Sequence, residues 1–161
     1  MRRSVRVVLA CVLLASAAAL APALSRVDFD SVVDFSLTLK NLADAAEGKA
    51  PFPSGKLLVL DGTVSDVNVI SKDEATFKVR IELITGEWIG MEDVKSYSCY
   101  VDFTGSDFFK VFPARPPRSA TRDVVQLNSR VVIVGRPLDI TTTHQGEKRV
   151  LVEGLYVRTI E

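Results

Sequence analysis

Three apolar stretches of this sequence each contain one glycine where an unbroken strand would be expected. They are LLVLDGTVSDVNVI (57–70) around Gly62, RVVIVGRPLDI (130–140) around Gly135, and RVLVEGLYVRTI (149–160) around Gly154. Glycine weakens the interior of a strand and is kept there where the chain bends sharply, bulges or lets another segment come close. Three such strands in one short chain suggest a sheet that curls, since a small barrel that closes on itself uses bends of this kind; in a generic barrel or sandwich the same glycines simply weaken three strands or sit at bulges.

The remaining signals have period two from Lys56 onward. The clearest alternation runs from Thr76 to Thr85, with Phe77, Val79, Ile81 and Leu83 on one face and Lys78, Arg80 and Glu82 on the other. A third strand spans about 96–103, with Tyr97, Cys99, Val101 and Phe103 alternating against Ser98, Tyr100 and Asp102, and GEWIGMEDVK before it is read as a polar loop. The stretch 104–129 breaks the period. There Ser106 is expected to cap a short turn through Phe108, Phe109 and Phe112, stopped by Pro113, and RDVVQL to form one more helical turn. Two strands follow, joined hairpin-fashion by THQGEK. Ahead of them all, LADAAEG has strong helix formers and a glycine stop, while Val33, Phe35, Leu37 and Leu39 compete as an alternating strand.

Three strands, a partly helical interruption and two further strands is the order of the OB-fold, a small Greek-key barrel. The pieces VVQLNSRVVIVGRPLDI and VLVEGLYVRTI resemble the last strands of OB-fold domains of the anticodon-binding type and of exported bacterial OB-fold proteins, over about residues 56–161. The resemblance implies an all-β, five-stranded barrel with a short helical segment between strands three and four and a short N-terminal helix. A generic antiparallel barrel or sandwich, or an α+β arrangement with the helix on an open sheet, are the alternatives.

The first 25 residues have a basic start at Arg2, Arg3 and Arg6, an uncharged run from Val7 to Leu20 and small residues at Ala21 and Ala23. That is the layout of a cleaved signal peptide, and the run is shorter than the roughly 20 residues of a membrane span. The expected organisation is a signal peptide (1–23), a leader helix with a Pro/Gly linker (24–55) and a barrel domain (56–161), exported to the periplasm or cell exterior with no stable membrane span. The chain has 20 basic and 20 acidic residues; cleavage after Ala23 removes three arginines and no acid, leaving a net −3. Such a chain has no general attraction for phosphate backbones. Only Cys99 then remains, read as a buried small hydrophobe.

OB-folds bind oligonucleotides or oligosaccharides on the face of strands two and three. Here that face offers Lys78, Arg80, Glu82, Ser98, Tyr100 and Asp102, rimmed by SKDE and THQGEK; a solvated face with cross-strand ion pairs is the competing account. The best basic cluster holds Lys110, Arg115, Arg118 and Arg122, just after Phe108, Phe109 and Phe112, which otherwise plug the barrel. Trp88 either folds back over the barrel end or presents an apolar anchor. Candidate ligand-binding residues are therefore Lys78, Arg80, Tyr100, Trp88, Lys110, Arg115, Arg118 and Arg122.

Catalysis finds little support. His144 is the one histidine, nucleophile and phosphate-loop motifs are absent, and no catalytic residue, metal ligand or cofactor is assigned. Only a convergence of Asp61, Asp66, Asp139 and Glu153 at the glycine corners would provide paired carboxylates. The expected function is a non-catalytic binding module of the cell envelope that engages another envelope protein. An oligonucleotide- or oligosaccharide-binding protein comes second, and a secreted metal-dependent hydrolase third.

Overall fold

The computed structural model describes residues 30–115 and 123–160. A two-residue strand β1 (Val33–Asp34) precedes helix α1 (Leu39–Ala46), then β2 (Leu57–Ser71), β3 (Lys78–Ile89), β4 (Asp93–Thr104), β5 (Arg130–Thr142) and β6 (Lys148–Thr159). The strands lie in the order β1-β2-β3-β4-β6-β5, and β5 returns to pair with β2. Five strands therefore close into a barrel, with one parallel contact between β4 and β6 from Tyr100–Leu151 to Asp102–Glu153. This is the OB-fold.

The glycines sit where closure is tightest. β2 pairs with β5 through Thr63 and with β3 from Thr63 onward, so it changes partner one residue after Gly62. A Cβ on Gly62 would lie 2.8 Å from the Ile84 carbonyl oxygen and 2.9 Å from Leu83 Cγ. Gly135 and Gly154 face each other across β5 and β6, beside a bulge at Val134/Gly135. A Cβ on Gly135 would come within 2.6 Å of Val152 Cγ1, and one on Gly154 would run into the Phe103 ring. Close approach selects glycine at all three corners.

Both ends of the barrel are filled. At one end α1 contributes Leu39, Leu42 and Ala46 to the core. Thr38 and Asn41 cap it reciprocally, the Thr38 N–H donating to Asn41 Oδ1 at 2.8 Å, and Gly48 follows it at φ +76°. At the other end Phe108 and Phe112 pack on Phe103 with ring centroids 4.9 and 5.1 Å apart, and Phe109 meets Phe77 edge-on at 5.5 Å. The core between them is aliphatic, with Val79, Ile81, Leu83, Val101 and Ile133 fully buried.

Three local expectations change. GEWIGMEDVK is no loop: β3 and β4 continue through it to a tight turn at Gly90 (φ +72°). Among the described residues the helical segment between β4 and β5 is the single turn Ser106–Phe108, with Gly105 and not Ser106 at its cap position. Residues 123–129 form no helical turn, because their backbone is drawn to the barrel: Asn128 N–H donates to Val64 O at 2.8 Å and Val64 N–H to Ser129 O at 3.0 Å. The proposed signal peptide lies outside the described residues. No helix among the described residues is long and apolar enough to cross a membrane.

Candidate functional site

β3 and β4 pair without irregularity from Lys78–Thr104 to Ile89–Asp93. Unbroken alternation therefore puts Lys78, Arg80, Glu82 and Trp88 of β3 on one outer face with Asp102, Tyr100, Ser98 and Val94 of β4. From Arg80 to Trp88 this face is about 26 Å long.

Its charges are partnered. Arg80 and Asp102 stand directly opposite, and the guanidinium grips the carboxylate with both prongs: Nε donates to Oδ1 at 2.6 Å and Nη2 to Oδ2 at 2.9 Å. Lys78 Nζ lies 3.4 Å from the same carboxylate, whose side chain is only 9% exposed. Burial pushes the Asp102 carboxyl up, yet the hydrogen bonds and charge of Arg80, with Lys78, outweigh it and hold the carboxyl below its ordinary value. Arg80 also rests on the Tyr100 ring, 5.6 Å from its centroid. Glu82 accepts from Ser65 Oγ at 2.9 Å, and Arg149 Nε approaches it to 4.0 Å.

Beyond Ile84 the character changes. Trp88 is 72% exposed and Met91 95%, with Ile89 and Val94 about half exposed beside them. Trp88 thus presents its indole to solvent and does not fold over the barrel end. The opposite side of this extension is tied to α1: Tyr97 O–H donates to Glu87 at 2.9 Å, and Lys40 Nζ pairs with Glu87 at 2.8 Å. Those two partners hold the Glu87 carboxyl below its ordinary value. The hairpin is anchored at its root and bare at its tip.

Of the eight candidate residues, Lys78, Arg80, Tyr100 and Trp88 therefore share one face. Lys110, between Phe109 and Phe112 of the plug, and Arg115, after it, are exposed, beyond the Lys78–Thr104 end of the ladder and away from Trp88. Arg118 and Arg122 lie outside the described residues. The sequence reading missed Val94 as part of this face, and with it the exposed Ile89 on the other side of the hairpin and Met91 in the turn. Their signal was three apolar residues inside a supposedly polar loop. Larger concavities lie elsewhere, such as one of about 420 Å³ between Val111, Asp123, Tyr156 and Arg158. The β3–β4 face is an outer sheet surface, bordered at Ile84–Gly86 by a further concavity that Asp61 and Arg130 also line.

The carboxylates at the glycine corners do not converge. Asp61 pairs with Arg130 at 2.7 Å, Glu153 with Arg136 at 3.6 Å, and Asp139 accepts from the Ile140 N–H. Among the described residues no group of three or more His, Cys, Asp or Glu gathers to hold a metal. Cys99 is fully buried and its thiol is pushed up to about 12 by desolvation, with Glu82 adding to the effect, so it is no nucleophile at neutral pH. His144 is exposed in the Thr143–Glu147 turn.

Neither a family model nor a curated relative matches the sequence. Among solved structures, the chain is similar to PriB from Ralstonia solanacearum (11% identity, TM-score 0.39, 65% of this chain and 97% of that one). It is also similar to the single-stranded DNA-binding protein from Thermus aquaticus (11%, 0.41, 65% and 49%). A third is the small single-stranded DNA-binding protein from Streptomyces coelicolor (10%, 0.39, 65% and 91%). The proteins these comparisons name are PriB and single-stranded DNA-binding proteins, and on that finding the expected envelope partner and the envelope-module function are corrected. The periplasmic or extracellular location is withdrawn with them.

Proposed function

We propose that this chain is a non-catalytic OB-fold module that binds a single-stranded oligonucleotide along the outer face of β3 and β4, with the bases stacking on Trp88 and Tyr100. The observation that carries it is the unbroken ladder that sets two aromatic side chains and the Arg80 guanidinium on one outer face, with the indole of Trp88 72% exposed. Bases stack on aromatic side chains whatever their sequence, each contact contributing about 1–3 kcal/mol. The face is too open to enclose a reacting group, and its carboxylates are engaged by arginine or lysine, which favours binding over chemistry.

Trp88 is the chain's single tryptophan, so its emission reports the tip directly. Titrating the full chain with an unlabelled oligothymidylate at low salt should quench that emission. In anisotropy with a labelled strand, Trp88→Ala should weaken binding by about 5- to 150-fold. Unchanged emission and unchanged anisotropy at low salt would reject this function. Quenching by a neutral oligosaccharide and not by the nucleic acid would transfer the same face to a sugar ligand.

A further inference from the structure

The most basic part of the binding face is occupied from beneath. Asp102 sits under Arg80 and Lys78, almost wholly buried, with the guanidinium locked to it at 2.6 and 2.9 Å and the ammonium at 3.4 Å. We propose that Asp102 is a specificity-determining residue of this site: it withholds Arg80 and Lys78 from phosphates, so that the face selects ligands by base stacking and makes few backbone contacts. The proposal rests on the oligonucleotide-binding function above.

Three features support it. A bidentate arginine–carboxylate pair is among the stronger side-chain contacts, and Arg80 cannot turn to a phosphate without leaving a nearly buried carboxylate with Lys78 at 3.4 Å as its remaining cation. A phosphate approaching the pair meets the negative charge of Asp102 just below the cations, which opposes its binding. Lastly, Arg80 is held against the Tyr100 ring. In this posture it extends the stacking platform as a flat cation and does not reach out as a phosphate ligand. The neighbouring carboxylates repeat the pattern, with Glu82 near Arg149, Glu153 near Arg136 and Asp61 on Arg130. An ordinary single-strand groove is positive; this one is neutralised from within.

The test compares the full-length wild-type chain with Asp102→Asn, a near-isosteric change, by anisotropy of a labelled oligothymidylate of about 16 nucleotides over a series of salt concentrations. For single strands the slope of log K against log salt is about −0.7 per phosphate neutralised. The wild type should show a slope no steeper than about −1, and Asp102→Asn should steepen it by about 0.7–1.4 as one or two cations are released. At low salt the variant should bind at least about tenfold more tightly. The double variant Arg80→Gln/Asp102→Asn should return at least about halfway to the wild-type slope, since Lys78 alone then stays released. Wild-type binding with the same slope in Asp102→Asn would overturn the inference and leave the oligonucleotide-binding function standing. No binding by either chain would remove both. Should Asp102→Asn fail to fold, the wild-type slope still decides, because a value of about −2 or steeper means three or more phosphates and overturns the inference.

Discussion

From Lys78 to Leu83 the β3–β4 ladder buries Val79, Ile81 and Leu83 on its underside and carries paired charges above. From Gly86 to Lys95 the same ladder, with no break in register, leaves Trp88, Ile89, Met91 and Val94 open to solvent. The inner half is flanked by β2 and β6. The outer half has lost both neighbours, since β2 leaves β3 after Ile84 and β6 joins β4 only at Tyr100. One hairpin therefore serves two ends: its inner half holds the barrel together, and its outer half is free of that duty. Where a residue lies along the ladder decides whether its loss is felt in stability or in binding.

The sharpest way to break this division is Phe103→Ala. Phe103 is fully buried, packs on Phe108 and Phe112, and fills the space left by Gly154. Its loss should cost about 3–5 kcal/mol in urea unfolding followed by circular dichroism. A cost below about 1 kcal/mol would mean that the plugged end of the barrel contributes little.

A smaller effect belongs to the paired charges. The Asp102 carboxyl titrates below its ordinary 3.8 in the folded chain, so its contribution to stability is complete above that value and is lost as pH falls through the lowered one. Urea midpoints of the wild type should fall between about pH 5 and about pH 2 by a component that Asp102→Asn lacks. Identical acid profiles for the two chains would show that the pair contributes no net stability.

The smallest effect is expected at the tip. Trp88→Ala should change unfolding stability by no more than about 0.5 kcal/mol, because the indole is exposed and fills no core space. A loss of more than about 1 kcal/mol would mean that the tip is structural after all, and the two halves would no longer differ in kind.

Much of this was legible in the residues. Period-two alternation located Lys78, Arg80, Tyr100 and Asp102 on one face, because a strand's geometry obliges alternate side chains to share a side. It even anticipated cross-strand ion pairs there. The tip was misread because Gly86, Glu87 and Gly90 interrupt the apolar pattern, and a two-stranded ribbon outside a barrel has no buried face to impose one. RDVVQL was misread as helical because its long-range hydrogen bonds to β2 leave no trace in local sequence.

By itself the sequence determined the strand order and which side chains of β3 and β4 face outward, and its three interior glycines pointed to a sheet that curls. Tertiary structure alone decided which segments meet at those corners: Ile84 against Gly62, Val152 against Gly135 and Phe103 against Gly154. It alone set Asp102 beneath Arg80 and stood Trp88 clear of the barrel, because strand register and barrel closure join residues that are remote along the chain.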